Sequence, residues 1–175
     1  PAYEPVSALI GTDEQRPAIS GDWVVWHENT GTAGDDNVYL KNLTAAAPPQ
    51  AITLNDRDQR RPDIDGHLIV WQDNRHGHWD IYGYNRITQK EFRITDDPAD
   101  QTSPAVSGDT VVWEDMRDGV STLYAVYLDP VDVADCPIPL PGDIDGNCRV
   151  TMADFVSLAE NWLVCNLNPA GACSN

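Results

Sequence analysis

The chain has 175 residues, 41% of them hydrophobic and 22% charged, and its 28 Asp and Glu against 11 Lys and Arg leave a formal net charge of −17. So acidic a surface repels a phosphate backbone and an anionic bilayer, which excludes a nucleic-acid binder. No apolar run approaches the ~18 residues of a spanning helix, so membrane insertion is not expected. What the acidity does suit is a divalent cation, or solubility alone. Six Trp and 6 Tyr beside 2 Phe and 2 Met, with 13 Pro and 12 Gly, point to β-structure with frequent turns.

In chain order, Pro1 stands where an initiator Met is expected, which reads as loss of a signal peptide or the end of a cloned segment. Val6–Ile10 is a short apolar strand, and Thr12-Asp13-Glu14-Gln15 follows it. That order matches Thr95 and Asp100-Gln101 ahead of Pro104. The strings PAISGDWVVW, PDIDGHLIVW and PAVSGDTVVW then begin at Pro17, Pro62 and Pro104. Their glycines (Gly21, Gly66, Gly108) and tryptophans (Trp26, Trp71, Trp113) keep the same spacing. Each Trp is followed by a second apolar pair: Val38-Tyr39, Ile81-Tyr82 and Leu123-Tyr124. A third run closes the first two units, at residues 51–54 and 92–95.

A period of roughly 40–45 residues made of short strands is the pattern of propeller blades. Each unit therefore reads as four antiparallel strands. In the second they are expected at 62–65, 68–72, 80–86 and 91–95, with turns at Asp65-Gly66 and Asn74–Gly77. The Val-Val-Trp and Ile-Val-Trp runs are too continuous for a strand with one wet face, so they are expected to be buried between neighbouring blades. The units run Pro17–Leu54, Pro62–Thr95 and Pro104–Leu128, the third without its outer strand.

The pattern P-x-[IV]-[SD]-G-x-x-[IV]-V-W-x-[DE], joined in the last two units by D-x-R-x-G and then by [ILV]-Y, resembles the TolB-like β-propeller repeat over about residues 6–128. The first unit departs from it at Glu28-Asn29-Thr30-Gly31 and in a longer Gly-rich hairpin, Gly31–Asp36. The resemblance implies an all-β chain of four-stranded antiparallel propeller blades, three per chain. Closed propellers have about 4–8 blades, so three leave flanks and an edge that strand exchange or oligomerisation must cover. A second copy is the expected cover. A closed pairing gives a six-bladed ring and a non-closing head-to-tail contact gives a filament, with Val6–Ile10 adding a strand to a neighbour's third blade.

After the propeller part (1–129), residues 130–142 carry Pro130, Pro137, Pro139 and Pro141 and read as an extended linker. Residues 143–175 open with Asp143-Ile-Asp-Gly-Asn-Cys-Arg-Val-Thr-Met-Ala-Asp154, whose oxygen donors fall at the positions of a calcium loop. Side chains of Asp143, Asp145 and Asn147, the carbonyl of Arg149, Thr151 through its hydroxyl or a water, and Asp154 form the expected calcium shell. Cys148 replaces the usual turn Gly, and Asp154 the usual longer Glu. Phe155, Leu158, Ala159, Trp162 and Leu163 then give the stripe of an amphipathic helix. This loop and helix resemble one dockerin repeat, which implies calcium and a cohesin-like partner; dockerins ordinarily carry two repeats, and one is present. Cys136, Cys148, Cys165 and Cys173 suit two disulfides in any of three pairings. A zinc site is the rival, without a CxxC spacing or a His in this segment. Disulfides place the protein outside the cell.

Glu28, Asp73 and Asp115 each stand two residues after a repeat Trp. Because they recur in every unit, a hairpin hydrogen-bonding role with Arg75 and Arg117 is expected rather than acid–base catalysis. His76 and His78 read as solvated turn residues, and His27 and His67 have no patterned partner. Asn42-Leu43-Thr44 fits a glycosylation acceptor. No catalytic fingerprint occurs. The expectation is a secreted, non-enzymatic structural protein that self-associates into an extracellular homo-oligomer or filament. The alternative is an extracellular binding module whose propeller recognises a ligand such as a polysaccharide, anchored by the tail.

Overall fold

A computed structural model describes residues 5–7, 12–29 and 36–128, and every regular element among them is a strand. In chain order these are β1 (Asp13–Ser20), β2 (Trp23–Asn29), β3 (Asp36–Asn42), β4 (Gln50–Ala51), β5 (Gln59–Asp65), β6 (Leu68–Asp73), β7 (Asp80–Asn85), β8 (Lys90–Arg93), β9 (Gln101–Ser107), β10 (Thr110–Asp115) and β11 (Thr122–Tyr127). They form three antiparallel meanders: β1-β2-β3-β4, β5-β6-β7-β8 and β9-β10-β11. Among the described residues the third blade has no outer strand, and the outer strand of the first is only two residues long. The expected linker, the Asp143–Asp154 loop, all four cysteines and residues 8–10 of the expected N-terminal strand lie outside the described residues.

The inner hairpin of every blade turns on two residues that begin with the repeat glycine. Gly21, Gly66 and Gly108 sit at φ of +56, +55 and +57°, the left-handed region such short hairpins require. Nothing lies within 4 Å of where a Cβ would project at these glycines, so backbone conformation alone demands them.

The repeat proline does not open its strand. The first strand of the second blade begins at Gln59, not Pro62, because the proline sits in a bulge. Arg60 pairs with Gln72 and Asp63 with Val70, so Arg61 and Pro62 together face Trp71. Ser103-Pro104 faces Trp113 and Arg16-Pro17 faces Trp26 in the same way. A bulge on an edge strand is where a residue without an N–H is tolerated.

The core lies between blades. Val25, Val38 and Leu40 of the first pack with Ile64, Ile69, Trp71, Tyr82 and Tyr84 of the second. On the other face of that second sheet, Leu68, Val70 and Ile81 pack with Val111 and Trp113 of the third. All six residues of β6 are buried, as its unbroken apolar run predicts. β10 carries the same run, yet alternates between exposed and buried, because among the described residues no sheet covers its far side.

Candidate functional site

The recurrent carboxylates are structural. Trp26, Trp71 and Trp113 donate through Nε1 to Glu28, Asp73 and Asp115 at 3.2, 3.1 and 2.9 Å. Asp73 also accepts from the backbone N–H of Arg75 at 2.9 Å and from its guanidinium at 2.6 Å. That guanidinium lies 4.1 Å from the Tyr82 centroid, and Tyr82 stacks on Trp71. Asp115, Arg117, Tyr124 and Trp113 repeat the arrangement. The hydrogen bonds from Arg117, helped by Trp113, hold the Asp115 carboxyl down at about 2 against the opposing effect of burial. Asp73 and Asp115 thus bond the hairpin turn that follows them, while Glu28 accepts from Trp26 on its own strand.

His76 and His78 are engaged by neighbouring side chains. His76 Nε2 lies 2.8 Å from the Tyr82 hydroxyl and its ring stacks on that tyrosine, while His78 approaches Asp80 at 3.5 Å. No cluster of three or more His, Cys, Asp or Glu suited to a metal occurs among the described residues. The expected calcium ligands Asp143, Asp145, Asn147, Arg149, Thr151 and Asp154 fall outside those residues.

Two further features stand out among the described residues. One is the meeting point of the three innermost strands. Their bulges, Arg16-Pro17-Ala18, Arg61-Pro62-Asp63 and Ser103-Pro104-Ala105, line one shallow cavity of about 300 Å³. The residue before each proline is held at positive φ: Arg16 +53°, Arg61 +54° and Ser103 +54°. Side-chain-bearing residues adopt that backbone rarely, and here it recurs three times around one cavity. Arg61 donates to the Ser103 hydroxyl at 2.8 Å, bridging the second and third blades. Asp63 Oδ2 accepts from the N–H of Val106 at 2.8 Å. Burial lowers the pKa of His27 behind this rim; Asp36 opposes the shift, and the charges of Arg60, Arg16 and Arg61 add to it. Reading the sequence missed this site. Its signal was the residue in front of each repeat proline.

The other is the open flanks. Val112, Leu123 and Tyr127 of the third blade are 40, 78 and 66% exposed. On the first blade Ile19 is 64% exposed, while Val24 and Trp26 beside it are buried. Pro5, Val6 and Ser7 lie against that blade, lining with Val24 and Trp26 a cavity of about 260 Å³. Lys41 Nζ donates to the Val6 carbonyl at 2.8 Å. Blades are also joined in a fixed direction: Ser20 Oγ accepts from Gly66 N–H at 3.0 Å, and Asp65 Oδ2 from Gly108 N–H at 2.8 Å. Ser107 is the next residue in that series and is exposed.

No protein-family model matches the chain, and no curated protein matches it significantly. Among solved structures it is similar to TolB from Acinetobacter baumannii, with a TM-score of 0.56 and 17% identity over 71% of this chain and 32% of that one. It is similar to a chain assigned as TolB from Agrobacterium tumefaciens, with a TM-score of 0.51 and 20% identity over 66% of this chain and 41% of that one. A structure of prolyl endopeptidase matches with a TM-score of 0.51 and 17% identity, over 67% of this chain and 18% of that one. At such identities the likeness shows the fold alone, a β-propeller arrangement of blades, and the chain spans less than half the length of those chains. One expectation is overturned. The chain was expected to be no enzyme, but the same arrangement of blades occurs in a prolyl endopeptidase, so the fold gives no ground for excluding catalysis.

Proposed function

We propose that the chain works by self-association, its open blade faces being covered by blades of further copies. One observation carries this reading. Val38, Ile81 and Leu123 occupy the same position in successive blades and are 0, 0 and 78% exposed. The first two are sealed by the blade that follows; the third has none among the described residues. Val70 and Val112 repeat the contrast at 0 and 40%.

A second copy suits this face because the face it needs already exists. Inside the chain, Val70 and Ile81 pack against Val111 and Trp113. Val24 and Trp26 of the first blade are the equivalents of that pair. A copy packed head to tail thus repeats an interface the chain uses twice, with Ser107 available to accept from the next copy's Gly21 N–H. Val6–Ser7 would have to yield its place on the first blade. Burying apolar surface contributes ~25 cal/mol per Å², so several exposed large side chains supply a real drive. Successive head-to-tail contacts end in a closed ring or continue as a filament. With this reading go an extracellular setting, disulfides in the tail and calcium in the Asp143–Asp154 loop, which rest on the sequence of residues 130–175. The test is the solution mass of the purified chain at micromolar concentration: assemblies support the reading, and a single chain refutes it.

A further inference from the structure

The cavity at the blade axis is built by one chain and stands apart from any association between copies. Three bulges meet there, each stiffened by a proline, and each holds the residue before it in left-handed backbone. The proline explains the bulge and its packing on Trp. It does not explain why two of the three strained positions carry arginine.

In a chain of net charge −17, guanidiniums are readily neutralised. Arg60, Arg75, Arg93 and Arg117 are each ion-paired with an aspartate. Arg16 and Arg61, both exposed, share with Arg57 and Arg86 the lack of an ion pair among the described residues, but they alone of these four lie on the cavity. Arg61 commits one of its five N–H donors, to the neutral hydroxyl of Ser103. What is left is a pair of forked donors on a cavity of about 300 Å³, the lower end of the size range of small-molecule sites. Guanidinium forks match the paired oxygens of carboxylate and phosphate. Asp63 on the same rim, held by the Val106 N–H, is a negative charge that disfavours a ligand carrying several anionic groups.

We infer that the axial cavity binds a small molecule bearing a single oxyanion, carboxylate or phosphate, held by the guanidiniums of Arg61 and Arg16 with the Ser103 hydroxyl beside them. Two sources of that oxyanion are distinguished by titration calorimetry of the full chain at low ionic strength. The probes are glucuronate, one carboxylate on a hydroxylated ring, and inorganic phosphate. At least one is expected to bind, and whichever binds names the chemistry. Arg61→Gln and Arg16→Gln should each weaken that binding by about tenfold or more, while Arg57→Gln, away from the cavity, should not. Both arginines are exposed, so these variants should fold, and unchanged thermal unfolding checks it. Leu123→Glu, which should block association, must bind the probe like the wild type, so the two readings fail separately. Silence from both probes, or binding indifferent to both arginine variants, would overturn the assignment.

Discussion

Trp113 and Asp115, two residues apart on β10, are joined by an indole N–H to carboxylate bond of 2.9 Å that recurs at Trp71–Asp73 and Trp26–Glu28. Residues two apart on a strand share a face, so the same side of the sheet carries both the large apolar ring and the buried charge. A charge with no solvent access needs strong partners, and Arg117 supplies them from the adjoining turn. The motif therefore fixes the hairpin and packs the blade in one step.

A pH dependence follows. The Asp115 carboxyl sits at about 2 in the folded chain, against an ordinary value of about 3.9. A depressed carboxyl stabilises the fold fully above its unfolded value, and that contribution is lost as the pH falls from about 4 towards about 2. Asp115→Asn should cost ~1.5–3 kcal/mol at neutral pH, and the gap to wild type should narrow across that acid window. Urea unfolding at several pH values measures it; a gap that stays constant contradicts the account.

Two glycines should fail for different reasons. Gly66→Ala meets no atom but forces a Cβ onto φ +55°, which costs ~1–2 kcal/mol. Gly83→Ala keeps an ordinary backbone but puts a Cβ 2.6 Å from Phe92 Cζ, an overpacking worth ~1–3 kcal/mol unless the ring moves. Shortening Phe92 to Leu should rescue the second variant and not the first, and denaturation midpoints of the single and double variants would show it.

The fold was largely legible because each blade repeats the same turn glycine, buried run and carboxylate. Pro62 misled by one step: read as a strand start, it sits mid-strand in a bulge. No local propensity predicts that, since it depends on how Trp71 of the neighbouring strand is faced. Positive φ at Arg16, Arg61 and Ser103 was equally hidden, because none of these residue types favours it. Arg61 gained meaning only once the third blade brought Ser103 to it, across 42 positions of sequence. Of the strand expected at Val6–Ile10 only Val6 and Ser7 are among the described residues; they form no strand, and they line a cavity with Val24 and Trp26 of the first blade.

The tail makes its own prediction from sequence. If Asp143, Asp145, Asn147, Arg149, Thr151 and Asp154 hold calcium, the ion stabilises the folded loop by mass action. Chelation should lower the unfolding temperature of the wild-type chain, and Asp143→Ala should remove that response. A wild type indifferent to chelator rules the ligand set out.

Position in the blade series should decide what a truncation costs. Ile81→Ala, sealed between sheets, should destabilise by ~2–5 kcal/mol. Leu123→Ala, at the same repeat position, should stay within ~0.5 kcal/mol under dilute conditions where single chains dominate. Equal costs would mean that Leu123 is covered within its own chain.

Sedimentation velocity of the wild type beside Leu123→Glu puts the uncovered third blade to the most direct trial. A charge set into that face should leave the fold intact and prevent contact between copies. The account predicts multimers for the wild type and single chains for the variant. Two identical profiles of single chains would contradict it.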